Sequence, residues 1–70
     1  MTTTTRELAV ETDVIVKEFY CDCLYKNLPG RIVRYFWSHG VRLMVVDMGC
    51  WGLHSFHPCD GNVIAAEAAQ

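Results

Sequence analysis

The chain has no apolar run long enough to cross a bilayer. Its densest stretches, Val14-Ile15-Val16, Leu43 to Val46 and Val63 to Ala66, fall far short of the roughly 20 residues that a spanning helix needs. Nor does a basic region lead into an apolar segment at the N-terminus, where Met1 is followed by Thr2 to Thr5, Arg6 and Glu7. A secretory signal is therefore not expected, and a reducing cytoplasm is the expected setting. An excess of positive charge is missing too: the formal net charge is −2, which argues against a strongly basic nucleic-acid binder. Glycine-rich phosphate loops, paired catalytic carboxylates and a His-Glu-x-x-His sequence are absent. A chain of 70 residues also leaves little room for a walled pocket beside a core. These absences remove the usual marks of an enzyme. With no internal repeat and no dividing linker, residues 1–70 are expected to form one small domain, with 1–5 a frayed polar end.

What is present is greasy for so short a polypeptide: 51% hydrophobic residues against 20% charged. That balance excludes intrinsic disorder, which needs low hydrophobicity and high net charge. A fold of this size buries only about 60% of the surface its unfolded chain exposes. Some apolar surface is therefore expected to remain for a disulfide, metal or partner to compensate. Charge is unevenly placed. Lys17, Lys26, Arg31, Arg34 and Arg42 against Glu18 and Asp22 leave a basic middle, flanked by acidic ends. No Lys or Arg follows Arg42.

Two local signals predict reversals. His39-Gly40 lies between Arg31 to Ser38 and Val41 to Asp47, both rich in β-branched and aromatic residues, and a two-residue loop ending in Gly suits a hairpin. Leu28-Pro29-Gly30-Arg31 fits a type II turn, with Pro presetting φ and Gly supplying a positive φ. The fold class expected is α+β or mainly β, an antiparallel meander with hairpins at Pro29-Gly30 and His39-Gly40 and room for one short helix over a face. Following both turns outward puts Phe19, Cys21, Cys23 and Tyr25 on one face with Ile32, Arg34, Phe36, Val41, Leu43 and Val45. This is the expected core face. The other carries Tyr20, Asp22, Leu24, Val33, Tyr35, Trp37, Arg42, Met44 and Val46, with Asp22, Trp37 and Arg42 in one row. A competing pattern makes 13–27 a helix capped by Thr12 or Asp13 and stopped at Pro29-Gly30. The β-rich Val14-Ile15-Val16 and Phe19-Tyr20 favour strand. Asp60-Gly61 predicts a further reversal, and the tail from Asn62 suits either a strand or a short helix.

Three sets of residues carry possible chemistry. Cys50, His54, His57 and Cys59 are four zinc-type ligands within ten residues, able to staple a small fold as a tetrahedral site. Their spacing matches no zinc-finger pattern, and the alternative is buried cysteines beside hydrogen-bonded histidines. A Cys50–Cys59 disulfide is open in an oxidising setting. Arg31, Arg34, Tyr35, Trp37, His39 and Arg42 mix guanidinium groups with stacking rings, as single-stranded nucleic-acid binders do. Tyr35, Trp37, Arg42, Met44 and Trp51 supply the residue types that dominate protein interfaces. The role expected is a non-enzymatic protein-interaction or inhibitor module, with a homodimer burying the second face as one arrangement. No cofactor is expected; zinc binding and nucleic-acid binding are the alternatives. On general character alone, short, mildly acidic, motif-free chains of this type are common among phage and mobile-element products that block host machinery, the anti-CRISPR type among them.

Overall fold

A single strand of 15 residues, Leu24–Ser38, organises the chain. The computed structural model describes residues 8–58 and 60–69. They form one five-stranded antiparallel sheet in the order β4-β3-β2-β1-β5. The strands are β1 (Asp13–Tyr20), β2 (Leu24–Ser38), β3 (Val41–Asp47), β4 (Leu53–Phe56) and β5 (Val63–Ala65). Two short 3-10 turns, Gly49–Trp51 and Ala66–Ala69, complete it. The expected mainly-β meander is present, and no α-helix covers a face among the described residues. Residues 13–20 are strand, not helix; the tail supplies both a strand and a 3-10 turn.

The His39-Gly40 hairpin forms as expected. Both residues take positive φ, 53° and 78°, the combination a tight two-residue hairpin turn requires. Pro29-Gly30, by contrast, is not a turn. Both residues lie inside β2, with Pro29 opposite Ile15 and Gly30 opposite Val14, and the chain reverses instead at Cys21–Cys23. The reason is that β2 serves two partners in succession. Leu24 to Arg31 pairs with β1, and Arg31 to Ser38 pairs with β3. Pro29 therefore sits in a half paired with only one neighbouring strand among the described residues, where a missing N–H is tolerated. Gly30 is needed for a close approach. A Cβ there would lie 2.6 Å from Val46 Cγ1 and 3.2 Å from the Asp47 carbonyl oxygen.

Irregularities in β1 and β2 decide which face is buried. Asn27, at φ 58°, interrupts the β1–β2 ladder between Leu28 and Lys26; Asn enters the left-handed region more readily than most residues. Across this break Val16 and Phe19 are both buried while Lys17 and Glu18 are exposed. A register shift between Ile32 and Arg34 then leaves Val33 as an extra residue, which reverses the alternation. The expected core face is consequently right for Phe19, Tyr25 and Ile32 but inverted beyond the bulge. Met44 and Val46 join the core, with Tyr35 packed against it, while Arg34, Phe36, Val41 and Leu43 share the opposite, outer face. Val45 is buried on that outer face, between Arg34 and Ser55 of the neighbouring strands.

The sheet is rolled, not flat. One hydrophobic cluster takes residues from every strand: Val14, Val16, Ile32, Met44 and Val63 at its centre, with Phe56 packed against it. Residues 57–62 join β4 and β5, the two opposite edges of the sheet. Two successive bonds, Asp60 N–H to the His57 carbonyl and Val63 N–H to the Asp60 carbonyl, fold this link upon itself. Asp60-Gly61 thus reverses the chain, although the strands it connects are not paired. Each such turn spans under about 7 Å, whereas a flat sheet of five strands is roughly 19 Å across. Curling of the sheet brings side chains of β1 and β4 together, Phe19 and His54 with ring centroids 4.8 Å apart, and encloses a core without a second layer.

At the closing edge, Asn62 extends the β1–β5 pairing with its side chain. Its Oδ1 accepts from Glu18 N–H at 2.9 Å and its Nδ2 donates to the Glu18 carbonyl at 2.7 Å. Where β2 approaches Val46, Gly30→Ala is expected to lower stability by about 1–3 kcal/mol, the usual cost of overpacking. Thermal denaturation would read this as a fall of several degrees. A variant melting with the parent chain would mean that Val46 yields freely and that the approach is not tight.

Candidate functional site

The hairpin turn at His39-Gly40 fixes a short ladder at the free end of β2 and β3. Ser38 is opposite Val41, Trp37 opposite Arg42, and Tyr35 opposite Met44. Trp37 and Arg42 therefore share the inner side of the sheet, beyond the point where the core ends. The Arg42 guanidinium lies 4.9 Å from the Tyr35 ring centroid and 5.5 Å from that of Trp37. A cation shared between two rings at this exposure contributes about 0.5–1 kcal/mol per contact. Tyr35 is further anchored, its hydroxyl donating to the Leu8 carbonyl. Trp37 itself is 67% exposed. An indole is thus held against a charged neighbour yet left open to solvent.

The other two residues of the expected partner surface lie elsewhere. Met44 is 1% exposed, one rung inward, and belongs to the core. Trp51, carried by the first 3-10 turn, packs against Tyr25 with ring centroids 4.4 Å apart and against Phe19 at 5.7 Å. Neither offers its ring or thioether beside Trp37. The Trp51 carbonyl also accepts a 2.8 Å bond from His54 Nε2, which assigns the proton to that nitrogen because a carbonyl only accepts.

This bond occupies one member of the expected metal set. Cys50 is a free, exposed thiol, His54 lies edge-on to Phe19 with centroids 4.8 Å apart, and Cys59 is outside the described residues. No group of three His, Cys, Asp or Glu side chains converges to hold an ion among the described residues. The basic-aromatic set is divided as well. Arg31 and Arg34 share the outer face, whereas Arg42 is on the inner one. Arg31 donates to Asp13 across 3.0 Å, and this hydrogen bond, followed by the Asp13 charge, raises its already high pKa. Asp47 is its partner in the register with β3. Arg34 lies 5.3 Å from the Phe36 ring. No continuous basic stripe results among the described residues.

A second polar grouping was not foreseen. The reversal between β1 and β2 consists of Cys21, Asp22 and Cys23, and the Cys21 N–H donates to the Cys23 carbonyl at 3.2 Å. Cys21 and Cys23 are free and exposed. The Tyr25 hydroxyl donates to Asp22 Oδ1 at 3.1 Å. Asp22 is therefore held below the usual carboxylate range, first by Tyr25. The Tyr25 hydroxyl is pushed up to about 12, by hydrogen bonding with Cys23 first and with Asp22 next. The sequence signal was the Cys-Asp-Cys triplet itself, since Asp is a turn former even without Gly or Pro. The expected row of Asp22, Trp37 and Arg42 keeps only its last two members, because Asp22 is in this turn.

The chain matches no protein-family model, no curated protein and no solved structure.

The raised Tyr25 gives a pH test. Because the folded-state pKa is above the ordinary value of 10.0, its contribution is fully present below about pH 10 and is lost as pH rises towards about 12. Tyr25→Phe should flatten that part of the alkaline stability profile and remove a late component of tyrosinate absorbance. A wild-type minus Tyr25→Phe difference that develops fully near pH 10 would contradict the arrangement at the turn.

Proposed function

We propose that the chain acts by binding another protein, not by catalysis, through the end of the β2–β3 hairpin formed by Tyr35, Trp37 and Arg42. The observation that carries this reading is the exposed indole of Trp37, positioned by Arg42 and by a neighbouring tyrosine that is itself tied down. Trp, Tyr and Arg are the side chains that most often dominate protein–protein binding energy. Their partial immobilisation before binding lowers the entropy lost when a partner arrives. The partner surface that fits is an apolar socket for the indole.

Division of the cations between two faces weakens the nucleic-acid alternative, because phosphate binding needs several of them along one track. Blocking a larger assembly and pairing with a second copy are both forms that such a binding surface can take.

Quantitative capture from the source cell, with light scattering of the purified chain, tests the reading. Trp37→Ala is expected to cost about 2 kcal/mol or more, roughly a thirtyfold loss of affinity for the partner or for self-association. Leu53→Ala, at an exposed outer-face position on β4, should leave either unchanged. If Trp37→Ala binds as the parent chain does and Leu53→Ala does not, the outer face is the interface and the hairpin end is not.

A further inference from the structure

The Cys21-Asp22-Cys23 reversal places two thiols where the sequence pattern alone would separate them. In an extended strand, residues two apart share a face but lie nearly two full rises apart. Here the chain reverses between them. The β1–β2 register runs through Tyr20 opposite Leu24, and its next step sets Cys21 against Cys23 with Asp22 at the apex. Their backbones are closed by the Cys21 N–H bond to the Cys23 carbonyl. The two cysteines thus stand on opposite arms of one tight reversal, and both thiols are exposed.

From this geometry we infer that Cys21 and Cys23 form a two-thiolate clip for a soft, monovalent, two-coordinate metal ion, with Cu(I) as the fitting chemistry. Thiolate donors select soft ions. A metal–thiolate bond is about 2.3 Å, so two bonds end to end span roughly 4.6 Å, within reach of opposed cysteines. The absence of a third converging ligand among the described residues disfavours Zn(II), which wants four, and suits an ion content with two. Binding exchanges the two S–H protons for one Cu(I). Both protons pass to solvent, a bis-thiolate complex carrying one negative charge is left, and no electron is transferred. Tyr25 is the positioning residue. Its hydroxyl holds the apex residue Asp22 at 3.1 Å, which fixes the turn that carries both thiols.

The test is a competition under anaerobic, reducing conditions, in which the full chain withdraws Cu(I) from its coloured bicinchoninate complex. One equivalent is expected to transfer to the wild-type chain. Cys21→Ser and Cys23→Ser should each abolish the transfer while melting like the parent chain, because both thiols are exposed. Cys50→Ser should transfer the ion as the wild type does, and Tyr25→Phe should weaken binding by about tenfold. The proposal is overturned if the wild-type chain withdraws no copper, if Cys21→Ser withdraws it equally well, or if the loss follows Cys50→Ser instead. Trp37→Ala should leave copper transfer intact, so this result stands apart from the partner-binding test.

Discussion

Everything in this fold turns on the close approach of β2 to β3 at Gly30. The space a side chain would fill there is taken by a methyl group of Val46. That contact lets one strand leave β1 and enter a second pairing with β3 without a break in the chain. A bulky residue would force the two hairpins apart, and with them the clustered residues that they share. Ile32, two residues on, shows the consequence: it is fully buried, and its N–H and C=O bond to Thr12 and Glu11, extending the β1 ladder. The roll of the sheet goes with this close approach and with the short link from β4 to β5. No layer of helices is needed because the sheet supplies both walls of its own core.

Much of this was legible in the amino-acid order, and the parts that were not failed for identifiable reasons. His39-Gly40 announced its hairpin because both positions require a left-handed backbone. Pro29-Gly30 carried the same local signature but meant something else: proline was tolerated on a strand paired on one side, and glycine answered a tertiary contact with a residue sixteen positions later. No local rule distinguishes those uses. Period-two reasoning grouped the residues of β2 and β3 correctly as far back as Arg34. Before that point the single extra residue, Val33, reverses the alternation, so Ile32 faces the core as expected while Arg34, Phe36, Val41 and Leu43, expected beside it, face outward. The interface residues were read as one surface from composition. Met44 lies in the core and Trp51 packs against it from a 3-10 turn, because nothing in their identity distinguishes an apolar anchor for a partner from one for the chain itself.

The hairpin end and the Cys-Asp-Cys turn illustrate two ways in which a small sheet can bear chemistry without a cleft. At the hairpin end, cross-strand pairing brings an arginine between two rings, so an aromatic side chain can remain in water yet hold one orientation. At the turn, reversal of the chain supplies proximity that spacing alone does not. In both places the backbone is fixed by a tight reversal, and the side chains inherit their positions from it. The outer face lacks this discipline. There, Arg31 is engaged with Asp13, Arg34 leans over Phe36, and the apolar residues lie among them in a mixed pattern.

Asn62 and the β5 strand have an implication for how the molecule assembles. The contacts that join β1 to β2 and β2 to β3 connect neighbours in the chain, whereas Asn62 grips Glu18 across a sequence separation of 44. Closing so long a loop is entropically costly until the central hairpins have drawn the ends together. The C-terminal strand therefore acts as a late latch: a nascent chain still missing those residues can already form its central hairpins but leaves one edge of β1 open to other molecules.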